Sequence, residues 1–398
     1  MAKQVIEKSK KIVFFDFPGH SFVHDLSKSL SKKKKYNVYH LYNPKQLGPK
    51  SNFKDRISEK IIPIKKNFSR NFYIRFFDES IYSFQCIYKI IKINPDILIA
   101  SSMPLIPLYF LSLLKKFMRY KIIFWMQDIQ SVAIDKILTR KKNRHVQLVS
   151  RLFYFLENSI IQLSDSVIFI TEDFKKYFNS KILEKNIYII NNWGSLENIK
   201  PQEKLNSFSK ENKIAESFNV LYSGTLGYKH NPDVLINLSI FLQEKGLKAK
   251  ILIVSEGPVV EYLKSEAKKL NIKNILFFPF QKFDDFSKVL ASAEVSLVLL
   301  EKDSSDFCVP SKFLSILCAK RIPVVNTNRT NLVSKIIIEN KCGLIADNQS
   351  DLNNQLEELI KNYENFNHFA ENGYNYACKN LNINDITDKF EKIIQKNL

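Results

Sequence analysis

The chain has 398 residues, long for one domain and comfortable for two, and 45% of them are hydrophobic, enough to fill two cores. Its net charge of +20 is uneven: residues 1–200 hold 35 Lys+Arg against 16 Asp+Glu, and the rest hold 25 against 24. Uniform compositional drift would not leave one half neutral, so an anionic partner is expected for the first half alone, whether a membrane surface, a lipid diphosphate or nucleic acid. No run of eighteen uncharged apolar residues occurs, and Met103–Leu114, which comes nearest, is too short to span a bilayer and contains Pro104 and Pro107. The start, MAKQVIEKSKK, leads into a strand-like run, so the expected location is cytoplasmic, peripheral on the inner face of the cell membrane. Five cysteines without a Cys-x-x-Cys pair predict buried free thiols and neither a disulfide framework nor a zinc site.

In chain order, β-branched and aromatic runs predict strands at 11–17, 37–42, 61–64, 96–100, 121–125, 166–171 and 187–191. Helical patterns at 22–34, 76–93 and 144–163 lie among them. The second half repeats the scheme. Strands are expected at 219–223, 250–254, 275–279, 295–300, 323–326 and 343–346, with helices at about 231–245, 258–270, 284–292, 311–320, 329–340 and 350–361. Such alternation implies parallel sheets covered by helices on both sides. The fold class is therefore α/β, with two doubly wound Rossmann-like domains at 1–200 and 201–380 and a last segment, 381–398, packing back on the first. The seam is expected in the polar stretch 194–217, which holds Pro201.

In such sheets ligands sit at the carboxyl ends of the strands, which singles out a few loops. After the first strand of the second half comes Tyr222-Ser-Gly-Thr-Leu-Gly-Tyr-Lys229. Gly224 and Gly227 would let backbone approach a ligand, and Lys229 would place a cation on a diphosphate, although a glycine-bearing turn after a strand is common. In Ser255-Glu256-Gly257-Pro258, Gly257 and Pro258 make a tight entry into the next helix, with a simple strand-to-helix turn as the plainer reading. In Asp303-Ser-Ser-Asp-Phe-Cys-Val-Pro-Ser-Lys312, Pro310 suits a first helical turn, Ser311 and Lys312 put donors there, and Asp303 and Asp306 would accept from sugar or ribose hydroxyls. An exposed acidic loop is the plainer reading. In the first half Asp128 ends a strand, either as a helix N-cap or as a carboxylate that meets a ligand. Gly19 and His20 follow the first strand, with close approach and a ligand contact as one reading and polar surface as the other.

The chain contains no Asp-x-Asp triplet, so lysines and helix termini would neutralise a leaving diphosphate without a metal ion. It also has no Gly-x-x-x-x-Gly-Lys-Ser/Thr loop and no Gly-x-Gly-x-x-Gly after a strand, which disfavours a nucleotide hydrolase and a dinucleotide oxidoreductase.

Taken in order, these segments resemble family 4 glycosyltransferases, which have the two-domain GT-B fold with the domains facing across a cleft. The likeness is greatest to the O-antigen and capsule subgroup that includes N-acetyl-fucosamine transferases. It is carried by Asn94-Pro-Asp-Ile-Leu-Ile-Ala-Ser-Ser-Met-Pro, Trp125-Met-Gln-Asp128, Ile190-Asn-Asn-Trp193, the 222–229 loop, Val309-Pro-Ser-Lys312 and Cys342-Gly-Leu-Ile. The resemblance implies a retaining transferase that moves a sugar from a nucleotide-sugar, UDP-linked and of the N-acetylated hexosamine type. The acceptor would be polyprenyl-diphosphate-linked or a saccharide, at an anionic membrane surface, and no cofactor, metal or nucleic acid is implied. Under this reading Lys32–Lys35, Lys115, Lys116, Arg119 and Arg140–Arg144 would adsorb the first half to anionic lipid. The apolar stretch Leu105–Leu114 would dip into the interface or form buried helix core. By matched position, Lys229 and the 310–312 turn would hold the diphosphate, Glu256 and Gly257 would flank the base, and Asp128 would sit near the anomeric centre. Ser315 stands where the family carries the second glutamate of a pair, Asp306 lies near the first, and Tyr228 replaces the usual arginine. Readings from other classes are a noncatalytic scaffold, a nucleic-acid-binding protein and a GT-B sugar-nucleotide epimerase; against the second, no nucleic-acid module is visible.

Overall fold

The computed structural model describes residues 9–44, 58–60, 72–139, 144–227, 230–305 and 307–398. The chain divides into two compact units, the first holding the described residues up to Asn192 together with Ile383–Leu398, the second those of Trp193–Asn382.

The first unit is built on seven strands: β1 (Lys10–Asp16), β2 (Tyr36–Tyr42), β3 (Ser58–Lys60), β4 (Ile97–Ser101), β5 (Lys121–Met126), β6 (Ser166–Phe169) and β7 (Ile187–Ile189). They lie all parallel in the order β3-β2-β1-β4-β5-β6-β7. Parallel neighbours need crossovers, and the long ones are helical: α1 (Ser21–Ser31), α2 (Phe72–Ile93), α3 (Leu105–Met118), α4 (Gln130–Thr139) and α5 (Arg144–Leu163), with a single turn α6 (Ser180–Leu183) before β7. Helices on both faces explain why Ile12, Val13, Phe14 and Phe15 are all fully buried on one strand. The strand expected at 61–64 lies outside the described residues.

The second unit repeats the plan with six strands, β8 (Phe218–Ser223), β9 (Ala249–Val254), β10 (Ile275–Phe278), β11 (Val295–Leu299), β12 (Ile322–Asn326) and β13 (Leu344–Ile345), in the order β10-β9-β8-β11-β12-β13. Its helices are α7 (Ser207–Glu211), α8 (Asp233–Glu244), α9 (Pro258–Lys269), α10 (Phe286–Ala291), α11 (Lys302–Ser305), α12 (Lys312–Cys318), α13 (Leu332–Asn340), α14 (Gln349–Lys361) and α15 (Asn367–Asn380). The sequence reading has no counterpart of α15, because its buried positions Ala370, Gly373 and Ala377 are too small to give an apolar period. Those small residues let it lie close: a Cβ on Gly373 would meet Leu317 Cδ2 at 2.8 Å. Cys378 on this helix is exposed, against the expectation of buried thiols; the other four cysteines are buried.

The last helix, α16 (Ile383–Asn397), belongs to the first unit. The Phe390 and Trp125 rings meet edge to face with centroids 4.8 Å apart, and Glu391 accepts from both Lys33 and Lys35. Lys115 likewise pairs with Asp165 at 2.6 Å. These three lysines, expected to face lipid, therefore serve internal ion pairs. Residues 140–143 of the basic stretch lie outside the described residues.

Candidate functional site

The strand order of both sheets switches direction at a definite place, between β1 and β4 in the first unit and between β8 and β11 in the second. Such a switch point opens a crevice at the carboxyl ends of the strands. The loops that leave those ends carry the expected residues, and each unit has its own cluster.

In the second unit, Gly224 leaves β8 at φ +115°, a conformation open to glycine and strained for other residues. A Cβ there would lie 3.6 Å from Lys312 Cε and 3.7 Å from Lys312 Nζ. The Lys312 ammonium rests 3.6 Å from the centroid of the Tyr222 ring, a cation–π contact that holds the side chain over the loop. Tyr222 is itself fixed, its hydroxyl donating to the Thr225 carbonyl at 3.0 Å. Gly227 has a different part: its N–H donates to His230 Nδ1 at 2.9 Å, which ties the loop to the approach of α8. His230 escapes the sequence reading, because a histidine after the glycine loop carries no pattern of its own. Tyr228, Lys229 and Asp306 lie outside the described residues.

The neighbouring loops complete this edge. Ser255 is buried, and Glu256 is exposed and accepts from the Phe280 N–H at 3.0 Å. Gly257 caps α9 at φ +116°, and a Cβ there would meet nothing within 4 Å. After β11, Asn331 donates to the carbonyls of Ser305 at 2.6 Å and Cys308 at 2.9 Å while its own carbonyl oxygen caps α13 through Val333 N–H at 3.0 Å. That one buried side chain pins the loop which delivers Pro310, Ser311 and Lys312. Ser311 is exposed at the start of α12, and Ser315 is half-buried one turn on.

In the first unit the turn after β1 is built on Asp16. Its carboxylate is fully buried and accepts both the His20 backbone N–H and, at 2.9 Å, the His20 ring through Nδ1. Gly19, at φ +72°, makes the turn and packs on the Tyr42 ring, where a Cβ would come within 3.0 Å, so its missing side chain serves the fold. Burial works against a charge on His20, but the Asp16 carboxylate, its hydrogen bond and the more distant Asp128 outweigh it and raise the imidazole pKa. Next to this turn, Ser102 follows β4 at φ +46°, a backbone conformation that costs energy for serine.

Asp128 follows β5 and is half-buried. It does not cap α4. That place is taken by Glu157 of α5, whose carboxylate accepts from Gln130 N–H at 2.9 Å, from Ser131 N–H at 3.3 Å and from the Ser131 hydroxyl. Gln127 accepts from Asn192 Nδ2 at 2.6 Å, and Gln130 donates to the Met103 carbonyl at 2.8 Å. The Asp128 loop is thus held from three sides, which leaves its carboxylate available as acid, base or hydrogen-bond acceptor. Asp16 and Glu157 both escape the sequence reading. Asp16 has the signal of an acid at a strand end four residues before a histidine, whereas Glu157 lies unmarked inside a helix.

Among the described residues, no three His, Cys, Asp or Glu side chains gather so as to hold a metal ion. A cavity of about 480 Å³ lined by Lys115, Asp165, Glu184 and Asn186 lies near the amino ends of β5–β7, at the opposite sheet edge from these loops.

Residues 203–376 match the family described as glycosyl transferases group 1. The WcaI protein of Escherichia coli strain K12, assigned to colanic acid biosynthesis as a glycosyl transferase, is 24% identical over 173 residues, 42% of this chain. That alignment spans 42% of WcaI's own length, so less than half of this relative is matched. Among solved structures, sucrose-phosphate synthase of Thermosynechococcus elongatus superposes with a TM-score of 0.75 at 10% identity, over 97% of this chain and 98% of its own. HepE of Anabaena, solved with UDP-glucose, gives 0.71 at 13% identity, over 97% and 99%. WaaG, a glycosyltransferase involved in lipopolysaccharide biosynthesis, gives 0.68 at 15%, over 96% and 99%. These likenesses establish the architecture, that of the GT-B glycosyltransferases, and residues 203–376 of the second unit match the group 1 glycosyl transferase family.

Proposed function

We propose that the protein transfers a sugar from a UDP-linked donor, of the N-acetylated hexosamine type, to a saccharide or polyprenyl-diphosphate-linked acceptor in the synthesis of a surface polysaccharide, with retention of anomeric configuration. The observation that carries the reading is the seating of Lys312 against Gly224 at the switch point of the second unit. A diphosphate laid on that loop would meet a side-chain-free backbone and a fixed ammonium. The ammonium would offset the charge that develops as the sugar leaves, with Lys229 as a second cation and without a metal ion. Glu256 and Gly257 would flank the base, and Ser311 would donate to a phosphate oxygen.

Asp128 and His20 would serve the sugar and the acceptor. With Nδ1 engaged by Asp16, the Nε2 side of the His20 ring would face a sugar hydroxyl, and the Asp128 carboxylate suits orienting one. The UDP-glucose complex of HepE and the assignment of WcaI to colanic acid support a nucleotide-sugar donor and a polysaccharide product. A lipid-linked acceptor would bring the enzyme to the inner face of the membrane.

The experiment is incubation of the full chain with a panel of UDP-, GDP- and dTDP-sugars and lipid-linked or oligosaccharide acceptors, with release of nucleoside diphosphate followed by mass spectrometry. Acceptor-dependent release from a UDP-sugar in the presence of chelator is expected. Acceptor-independent release of both UDP and free sugar would favour an epimerase-type reaction, and no release from any donor would defeat the reading.

A further inference from the structure

The outer face of α2 inverts the usual pattern of a surface helix. Its exposed positions include Ile74, Phe77, Ile81, Phe84, Tyr88 and Ile91, spaced three and four apart along a single stripe. Its inward face holds Asp78, Glu79 and Ser83 beside Tyr82, Cys86 and Ile90. A helix stabilised only by packing on its own sheet would show the opposite arrangement.

The apolar surface does not stop at that stripe. α3 packs between α2 and α5. It contributes Phe117, the most exposed large hydrophobic residue described at 84%, and Phe110. The Tyr109 ring links Phe110 to Phe155 of α5, with centroids 6.3 and 6.4 Å away, and Leu148 and Leu152 continue the face along α5. By contrast, the Leu105–Leu114 stretch is mostly core, with Leu105, Ile106, Leu108 and Leu111 buried.

Charge decides what covers this face. Among the described side chains of α2, α3 and α5 no carboxylate is exposed, whereas Lys92, Lys116 and Arg151 are, as is Arg119 at the end of α3. Arg151 lies within the α5 stripe, and Lys116 adjoins Phe117. A second copy of the chain would set these cations against each other. A coiled-coil partner would need only the narrow α2 seam, and such seams favour Leu and Ile over Phe and Tyr. Aromatic rings interleaved with cations match the boundary between acyl chains and anionic headgroups.

We propose that the combined outer face of α2, α3 and α5 docks on an anionic lipid bilayer, the aromatic rings entering the headgroup boundary and Lys92, Lys116, Arg119 and Arg151 meeting lipid phosphates. This deepens the lipid-linked acceptor reading by naming the surface, yet its test needs no donor chemistry.

The full chain is sedimented with vesicles of phosphatidylcholine alone and with vesicles that also contain phosphatidylglycerol. The wild type binds the second kind, more weakly in about 0.5 M salt. The triple variant Phe84→Ser/Phe117→Ser/Phe155→Ser loses binding about tenfold or more with an unchanged circular dichroism spectrum, because every site is exposed. Lys92→Glu/Lys116→Glu/Arg151→Glu removes the preference for phosphatidylglycerol. Equal binding by the wild type and the serine variant overturns the proposal, as does absence of wild-type binding. A wild-type dimer that the serine substitutions dissolve, with no vesicle affinity, overturns it in favour of a protein partner. UDP binding is read on the same samples: UDP bound with vesicles ignored defeats the bilayer proposal alone, and the reverse defeats the donor reading alone.

Discussion

Glu157 on α5 caps the start of α4, its carboxylate gathering the Gln130 and Ser131 N–H groups and the Ser131 hydroxyl. Burial pushes its pKa up to about 7, with nearby Asp128 adding to the rise and the hydrogen bonds opposing it. The folded state therefore keeps this proton where the unfolded chain has lost it. Its contribution to stability is full below the ordinary glutamate value and is lost as pH rises through about 7.

That linkage gives a first prediction. Between the ordinary glutamate value and pH about 7, the Glu157 contribution to folding free energy falls by about 3 kcal/mol, since each tenfold difference in proton affinity between the folded and unfolded chain is worth ~1.4 kcal/mol. Denaturant unfolding of wild type and Glu157→Gln at pH 5 and pH 8 measures it. The wild type loses more stability than the variant across that interval; equal losses would show that Glu157 holds no excess proton.

A second prediction concerns the pair Asp16–His20. Burial alone would pull the His20 imidazole below its ordinary value, and the Asp16 carboxylate reverses that. Ring-proton NMR of the wild type should place the His20 titration above the ordinary histidine value, and Asp16→Asn should move it below. The stabilising part of this pair is present below the unfolded-state value and fades as pH rises through the folded one. An unshifted titration in Asp16→Asn would remove Asp16 as the cause.

The two loop glycines should separate. Gly224 sits at φ +115°, so Gly224→Ala strains the backbone by about 1–3 kcal/mol and crowds Lys312. At Gly227 a new Cβ would meet only His230 Nδ1, at an ordinary 3.9 Å. UDP affinity measured by titration calorimetry should fall about tenfold or more in Gly224→Ala and change little in Gly227→Ala. Equal effects would mean that the loop conformation does not govern binding.

Asn331 is predicted to matter out of proportion to its distance from the loop tip. Asn331→Ala leaves the Ser305 and Cys308 carbonyls and the Val333 N–H without this partner, at a cost of about 2–4 kcal/mol. Thermal unfolding should fall accordingly, and saturating UDP should recover part of the loss if the 301–312 loop forms the donor site. A midpoint within a degree or so of the wild type would contradict the pinning role.

Much of the fold is legible because doubly wound sheets write themselves in buried strands such as 12–15 and 295–299, apolar on both faces. The loops after β1, β5, β8 and β11 follow from the rule on strand ends, which is why Asp128, Gly224 and Lys312 can be named from residues alone. Other features cannot be read. Glu157 contacts residues 26 and 27 positions away, a pairing that no local pattern announces. The outer stripe of α2 is hidden because apolar residues occupy both of its faces, so the period shows a helix without telling which side is inward. Gly19 and Gly227 do stand in turns, but the atoms they face, the Tyr42 ring and His230, belong to packing.

The central claim is that a cationic side chain of the second unit grips the diphosphate of the donor. Titration calorimetry of UDP into wild type and Lys312→Ala, both in excess chelator, tests it most directly. The account predicts metal-free binding by the wild type and a loss of about tenfold or more in the variant, as removal of a charged contact to phosphate should give. Equal affinity in the two proteins, or wild-type binding that appears only when a divalent cation is added, would contradict it.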